Sequence, residues 1–293
     1  MRKLKIGIDP SSYFLFYKSH EMAYERMAVH GYDCVDAQFL CDTDQEIFAI
    51  PESEFQARMK AERALAESFG LSYAQSHGPW RWPPRDFTEE DRAERFEKMS
   101  RSIRGTAYVG ARHFVIHCIM PYGCDSGEER AGQIAMNQEF FGRLLRVAEE
   151  YDVIIDLENL PFPKLPISRT NEVLDFVKTM ATPRMRMCLD TGHCSFYGDS
   201  PADSVRMIGK DYLTTLHIHD NDGPCDRHWE PGHPEGIIDW ADFSKALHEI
   251  DYRGVVSLET QVPPDITDPA ERDRRERALA ATARRIADGW DTI

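Results

Sequence analysis

The chain has 293 residues, with 50 acidic against 35 basic side chains and a formal charge of −15. That balance argues against a duplex nucleic-acid partner, whose phosphates need a basic face, while 42% hydrophobic and 29% charged residues describe a globular protein with a sizeable core. Seven cysteines with no C-x-x-C pair indicate neither a disulfide framework nor a thiolate zinc module, and with no apolar h-region behind MRKLKIGIDP and no run of 18 apolar residues, a cytoplasmic protein without a membrane span is expected.

Short, β-branched apolar runs alternate along the chain with longer segments of helical period, the pattern of βα units around a parallel sheet. In order, the strand candidates are LKIGID from Leu4, DCVDAQ from Asp33, LSYAQSH from Leu71, HFVIH from His113, VIIDLEN from Val153, RMCLD from Arg186, LTTLHIH from Leu213 and VVSLE from Val255. Between the second and third, SEFQARMKAERALAESFG reads as a helix stopped by Gly70; after the third, TEEDRAERFEKMSRSIRGTAYVG reads as one opened by a Thr88/Asp91 capping box and long enough to carry a break. From Asp268 to Asp288 a charged segment with Ala and Leu on one face supplies an eighth covering helix.

Eight strands with intervening helices and no linker predict a single (β/α)8 TIM barrel domain over residues 1–293. The open doubly wound rival lacks a G-x-G-x-x-G after the first strand. Three loops stand out: GPWRWPPRDF, NLPFPKLPISR and DNDGPCDRHWEPGHPEG. All follow the C-terminal ends of strands, where such a barrel builds its active site.

From the third strand onward, nearly every strand ends in a possible metal ligand: His77, His117, Glu158, Asp190, His219 and Glu259. One histidine or glutamate at a strand end is ordinarily a hydrogen-bonded structural group. Taken together, such groups converging on a partly dry mouth repel one another and raise each other's pKa, a conflict that a divalent cation removes. Two spacings sharpen the reading. Asp190 and His193 form D-x-x-H at the sixth strand's turn into its helix, and His217 and His219 form H-x-H within a strand, on one face at successive depths. His219 is the one expected to reach the mouth, with His217 a layer lower as support.

These motifs, DLEN at Glu158, LDTGH at Asp190–His193, HIHDND at His217–Asp222, DRHWEPGHPEGIIDW from Asp226 and SLET at Glu259, resemble the xylose-isomerase-like TIM-barrel superfamily of sugar isomerases and epimerases, inosose dehydratases and apurinic-site endonucleases. The likeness runs through nearly the whole chain and is most specific in its second half. In the 3-epimerase branch the resemblance implies one ion held by Glu158, Asp190, His219 and Glu259, with His193 on the substrate. From the endonuclease branch it implies additional ligands at His77, His117, Asp226 and His228, and the D-x-x-H spacing makes His193 a further possible ligand, to a second ion. Three carboxylates and one imidazole suit Mn²⁺, Mg²⁺ or Co²⁺, and the extra histidines admit Zn²⁺.

Epimerisation removes a proton next to a carbonyl, which an unassisted carboxylate is too weak to do; an ion acting as Lewis acid, with two glutamates to take and return the proton, solves this. Glu158 and Glu259 are therefore the catalytic candidates. His193, His77, His117, Arg227 and Trp80 are candidate substrate contacts, with Trp82 and Trp229 as further wall residues. For the tryptophans rim packing is an equal alternative, and for Arg227 a surface ion pair is. The reading is a metal-dependent isomerase or epimerase of a keto sugar or polyol, with no nucleic-acid partner. A lyase or dehydratase sharing the enolate and acting on an inosose or a 3-keto-glycoside, an abasic-site phosphodiesterase and a non-catalytic sugar-binding module are the alternatives. Because TQVPPDITDP after the eighth strand has no glycine and two aspartates, the substrate is expected to be unphosphorylated. Homo-oligomers are common in the superfamily, and the sequence leaves assembly open.

Overall fold

The strand candidates all form strands, and all pair in parallel. In the computed structural model, which describes residues 3–80, 86–120 and 127–290, they are β1 (Lys5–Ile8), β2 (Cys34–Ala37), β3 (Ser72–His77), β4 (His113–Ile116), β5 (Ile154–Glu158), β6 (Met185–Asp190), β7 (Leu213–His217) and β8 (Val255–Leu258). Neighbours follow chain order from β1 to β7, and β8 pairs with β1. The ring closes just beyond β7, where Ile218 N donates to Ser257 O and Glu259 N donates to Ile218 O, each at 3.0 Å. This is a (β/α)8 TIM barrel, as the periodicity predicts.

The strands are nearly continuous apolar runs because both faces are buried. Ile6, Ile8, Val35, Phe114, Ile155, Leu157, Leu189, Leu216 and Val256 are each at most 1% exposed. Outside them lie α1 (Ser11–Tyr17), α2 (His20–His30), α3 (Glu52–Ser68), α4 (Glu89–Tyr108), α5 (Gly127–Glu150), α6 (Thr170–Met180), α7 (Thr191–Phe196), α8 (Pro201–Ile208), α9 (Trp240–Glu249) and α10 (Pro269–Asp288). Local chemistry fixes their ends. Gly70 takes φ +80° just past α3, where a Cβ would be strained. Thr88 and Asp91 make the expected capping box on α4, which runs unbroken where the sequence left room for a break.

α10 buries Leu279, Ala280, Ala283, Ile286 and Ala287 against the barrel, together with two charged residues, Arg272 and Glu276. The Arg272 guanidinium meets Glu276 Oε1 at 2.7 Å and donates to the carbonyls of Ser12, Val262 and Pro263. It thereby ties α10 to the connections that follow β1 and β8. Cys34, Cys41, Cys118, Cys188, Cys194 and Cys225 are free thiols, and no described helix is long and apolar enough to cross a membrane.

Candidate metal centre

The barrel mouth is organised around Glu158, the last residue of β5. Its Oε2 lies 3.3 Å from His77 Nε2 at the end of β3 and 3.1 Å from His117 Nε2 just beyond β4. The other oxygen lies 3.1 Å from His217 Nδ1, and His217 Nδ1 is also 3.2 Å from Glu259 Oε2. Two of the three rings are oriented from behind: His77 Nδ1 faces the Gly78 carbonyl at 2.8 Å, and His217 Nε2 faces Asp36 Oδ2 at 3.3 Å, whereas His117 Nδ1 has no hydrogen-bond partner among the described residues.

Asp190 serves two structures at once. Its Oδ1 accepts from the His193 N–H at 2.6 Å and caps α7, while Oδ2 lies 3.0 Å from His219 Nε2. Asn159, the last letter of DLEN, brackets the Asp190 backbone with both amide atoms, donating to its carbonyl and accepting its N–H. Gly192 is required by space: a Cβ there would sit 1.9 Å from His219 Cε1. A third group lies over the rim, where Asp226 Oδ2 is 3.3 Å from His193 Nε2 and 3.2 Å from His228 Nε2. His228 stacks on His219 at 4.2 Å and accepts a backbone φ of +50° to do so.

Four overlapping sets result, each with ligand atoms within 4.8 Å of one another: His77–His117–Glu158, Glu158–Asp190–His217–Glu259, Asp190–His193–His219 and His219–Asp226–His228. Metal–ligand bonds of about 2.1 Å place neighbouring ligand atoms roughly 3.0–3.4 Å apart at octahedral or tetrahedral angles, and the hydrogen-bond separations above span that range. The donor set therefore fits divalent cations. All nine residues expected as ligands, Glu158, Asp190, His219, Glu259, His77, His117, His193, Asp226 and His228, come together. His217, expected as support, lies between the two glutamates, and His219 stands nearer Asp190 and Asp226.

Burial raises both glutamates' pKa, but around Glu158 the imidazoles of His217, His117 and His77 outweigh it and hold the carboxyl well below its usual range. For Glu259 burial prevails over His217 and His228, reinforced by Glu158 and Asp190, and its pKa is raised. Asp226 is held low against burial by His193 and His228.

Other expected contacts fall outside this cluster. Arg227 is exposed and bonds Asp222 Oδ2 through Nη2 at 2.7 Å, with its guanidinium over Trp229. Trp229 itself stacks on His233 at 4.1 Å. Trp80 packs edge-on against His117 at 5.0 Å. Trp82 lies outside the described residues. Sequence reasoning missed Asp36 and Gln75, which support His217 from inside the barrel, with Gln75 Nε2 donating to Asp36 Oδ2 at 2.8 Å. The signal was present: a carboxylate within the buried CVDA run is out of place in a parallel strand unless something pairs it. Asp220 was likewise missed; it gathers the N–H groups of Gly232 and Ile237 and Trp240 Nε1, shaping the loop that carries Asp226 and His228.

A parallel eight-stranded barrel whose strand ends converge on a buried carboxylate–imidazole cluster defines a class of TIM-barrel protein with a metal-type centre at the C-terminal mouth. The sequence pattern of the xylose isomerase-like TIM barrels matches residues 24–285, and the chain belongs to that family. It is 21% identical to D-psicose 3-epimerase of Enterocloster bolteae over 251 residues, covering 84% of this chain and 77% of that protein. It is 31% identical to an uncharacterised Methanocaldococcus jannaschii protein over 128 residues, 43% of each chain. A crystal structure of D-psicose 3-epimerase in the presence of D-fructose superposes with a TM-score of 0.75 at 20% identity, covering 98% of this chain and all of that one.

Proposed function

We propose that the protein is a divalent-metal-dependent epimerase or isomerase of a keto sugar or related polyol. One observation carries the reading: Glu158 Oε1 and Glu259 Oε2 converge on His217 Nδ1, at 3.1 and 3.2 Å, so that two carboxylates from different strands face one place in the barrel mouth. Two carboxylates facing one place are the arrangement that taking a proton from one side of a substrate and returning it to the other requires. Similarity to sugar 3-epimerases supports the same chemistry.

Glu158, Asp190, Glu259 and the facing histidines His217 and His219 would hold the ion, with Mn²⁺, Mg²⁺ or Co²⁺ suited to the carboxylates and Zn²⁺ to the histidine-rich flanks. Bound there, it would supply Lewis acidity to a carbonyl and the adjacent hydroxyl, making the intervening C–H acidic. One glutamate then takes the proton and the other returns it to the opposite face. His193, fixed through Nδ1 by the Asn159 carbonyl at 2.8 Å, is placed to bond a substrate hydroxyl through Nε2. Asp36 holds the far side of His217, so the ring between the two carboxylates keeps its orientation while the proton moves.

The test is proton exchange. With added Mn²⁺ and D-psicose, D-fructose or L-ribulose in D₂O, NMR should show deuterium entering the carbon next to the carbonyl, and Glu158→Gln and Glu259→Gln should each abolish it. Exchange that persists in both variants would overturn the assignment. Product analysis separates epimerisation from elimination through the same enolate. The flanking triads His77–His117–Glu158 and His219–Asp226–His228 favour a second reading, phosphodiester cleavage with several Zn²⁺ ions. Failure to nick abasic duplex DNA in Zn²⁺ or Mn²⁺ would remove it.

A further inference from the structure

Beneath the centre the barrel interior is polar where such barrels ordinarily pack branched apolar side chains. Asp36 on β2 and Gln75 on β3 are each 1% exposed. The pairing of these strands shifts register between Val35 and Asp36, which sets Asp36 level with Gln75; such irregularities re-aim side chains beside functional sites. Gln75 Nε2 donates to Asp36 Oδ2 at 2.8 Å and to the Leu216 carbonyl at 3.3 Å, and the same Asp36 oxygen lies 3.3 Å from His217 Nε2.

The pair is built towards His217. Asp36 Oδ1 and Gln75 Oε1 are buried with no hydrogen-bond partner among the described residues. A half-satisfied buried network is worse for stability than an apolar core, so folding alone gives no reason for it. Its effect is to fix a tautomer, because the hydrogen bond made by one imidazole nitrogen decides the state of the other. Facing a carboxylate oxygen, His217 Nε2 must carry a proton. The neutral ring then has its lone pair on Nδ1, the atom 3.1 Å from Glu158 Oε1 and 3.2 Å from Glu259 Oε2. A lone pair and two carboxylate oxygens gathered there repel one another unless a cation lies among them.

The imidazoles of the two flanking triads are backed more weakly. His77 Nδ1 and His228 Nδ1 face the carbonyls of Gly78 and Glu259, His219 Nδ1 is 3.5 Å from the Asp220 carbonyl, and His117 Nδ1 has no partner among the described residues. A charged acceptor behind the ring makes a stronger hydrogen bond than a neutral carbonyl and a more basic ligand nitrogen in front. We propose that Asp36 and Gln75 are positioning residues for the metal: Gln75 holds the Asp36 carboxylate, the carboxylate keeps the proton on His217 Nε2, and the lone pair left on Nδ1 makes Glu158–Asp190–His217–Glu259 the set that a divalent cation fills first. The inference rests on the metal-dependent reading of the centre and names the residues that choose among its overlapping ligand sets.

The experiment is calorimetric titration of the full chain, stripped with EDTA, with Mn²⁺. Asp36→Ala should weaken the tightest Mn²⁺ site about 10- to 100-fold, the usual effect of losing a ligand's support, and Gln75→Leu should weaken it by a smaller factor. Asp36→Asn still offers His217 an oxygen and should recover part of the loss. His217→Ala should weaken that site more than His77→Ala or His228→Ala does. Because Asp36 acts through His217, the double variant Asp36→Ala/His217→Ala should bind no more weakly than His217→Ala, whereas independent losses multiply. Should Asp36→Ala fail to fold, Gln75→Leu and Asp36→Asn carry the same cycle. An Asp36→Ala affinity within about twofold of wild type, or losses that multiply in the double variant, would overturn the inference and leave the epimerase reading standing. Losses that follow the cycle, without deuterium exchange on any keto sugar, would support the positioning role and overturn the catalytic reading. A wild type that binds neither Mn²⁺ nor Zn²⁺ would overturn both.

Discussion

Among single residues, the histidines show how one side-chain type serves opposite ends of a barrel. His113, at the start of β4, faces Asp156 at 2.8 Å at the far end from the mouth. Burial alone would lower its pKa, but Asp156 outweighs burial and the value is raised. A raised folded-state pKa contributes stability that is fully present below the unfolded value of about 6.5 and is lost as pH rises through the folded one. Urea unfolding of the wild type and His113→Gln should therefore differ most near pH 6 and converge towards pH 9; a gap that widens with pH would contradict the sign. At the mouth, Gly192 sets where His219 can stand. Gly192→Ala should displace His219 from Asp190 and lower metal affinity about 10- to 100-fold, the usual cost of losing a ligand's support, as measured by titration with Mn²⁺ or Zn²⁺ and with little change in the circular dichroism spectrum.

At the scale of elements, α10 depends on a buried charge pair. Removing one partner of such a pair strands the other and costs about 3–5 kcal/mol. Arg272→Met should lower Tm by on the order of 10 °C, and the double variant Arg272→Met/Glu276→Leu should recover much of that loss, because no buried charge then remains alone. Strands and helices were legible because periodicity and caps are local: the alternation of apolar runs, the Thr88 capping box and the Gly70 stop all act within a few residues. Six candidate ligands, His77, His117, Glu158, Asp190, His219 and Glu259, were legible because they fall at or just beyond strand ends. What escaped the sequence depends on distance across the barrel. Asp36 and Glu158 are far apart in the chain, and only the closed ring places His217 between them. The position of His217 relative to His219 turns on how the chain leaves β7, which period-two alternation does not specify. Arg227 could not be assigned from its neighbours, since Asp222, five residues earlier, competes with any substrate for its guanidinium.

Viewed whole, the molecule gathers ten ligand-type side chains from the ends of β3 to β8, from α7 and from the segment after β7 into one polar centre, so an ion bound there would link distant parts of the chain. A ligand that binds only the folded state stabilises it by about 2.7 kcal/mol at 100 times its Kd. Prolonged treatment with EDTA should therefore lower Tm and readdition of Mn²⁺ should restore it; a Tm indifferent to both would mean that the imidazole–carboxylate pairs alone hold the centre.

The closure of the ring carries a consequence of its own. Ile218, whose backbone joins β7 to β8, stands between His217 and His219, and its second partner is the N–H of Glu259. The zipper that makes the sheet endless and the claw that would grip an ion are thus the same few links of chain, and whatever fills the claw also fastens the zipper. Amide hydrogen exchange at Ile218 and Glu259 should slow on Mn²⁺ addition more than exchange at the β4–β5 pairing, turning the barrel's seam into a gauge of whether its centre is loaded.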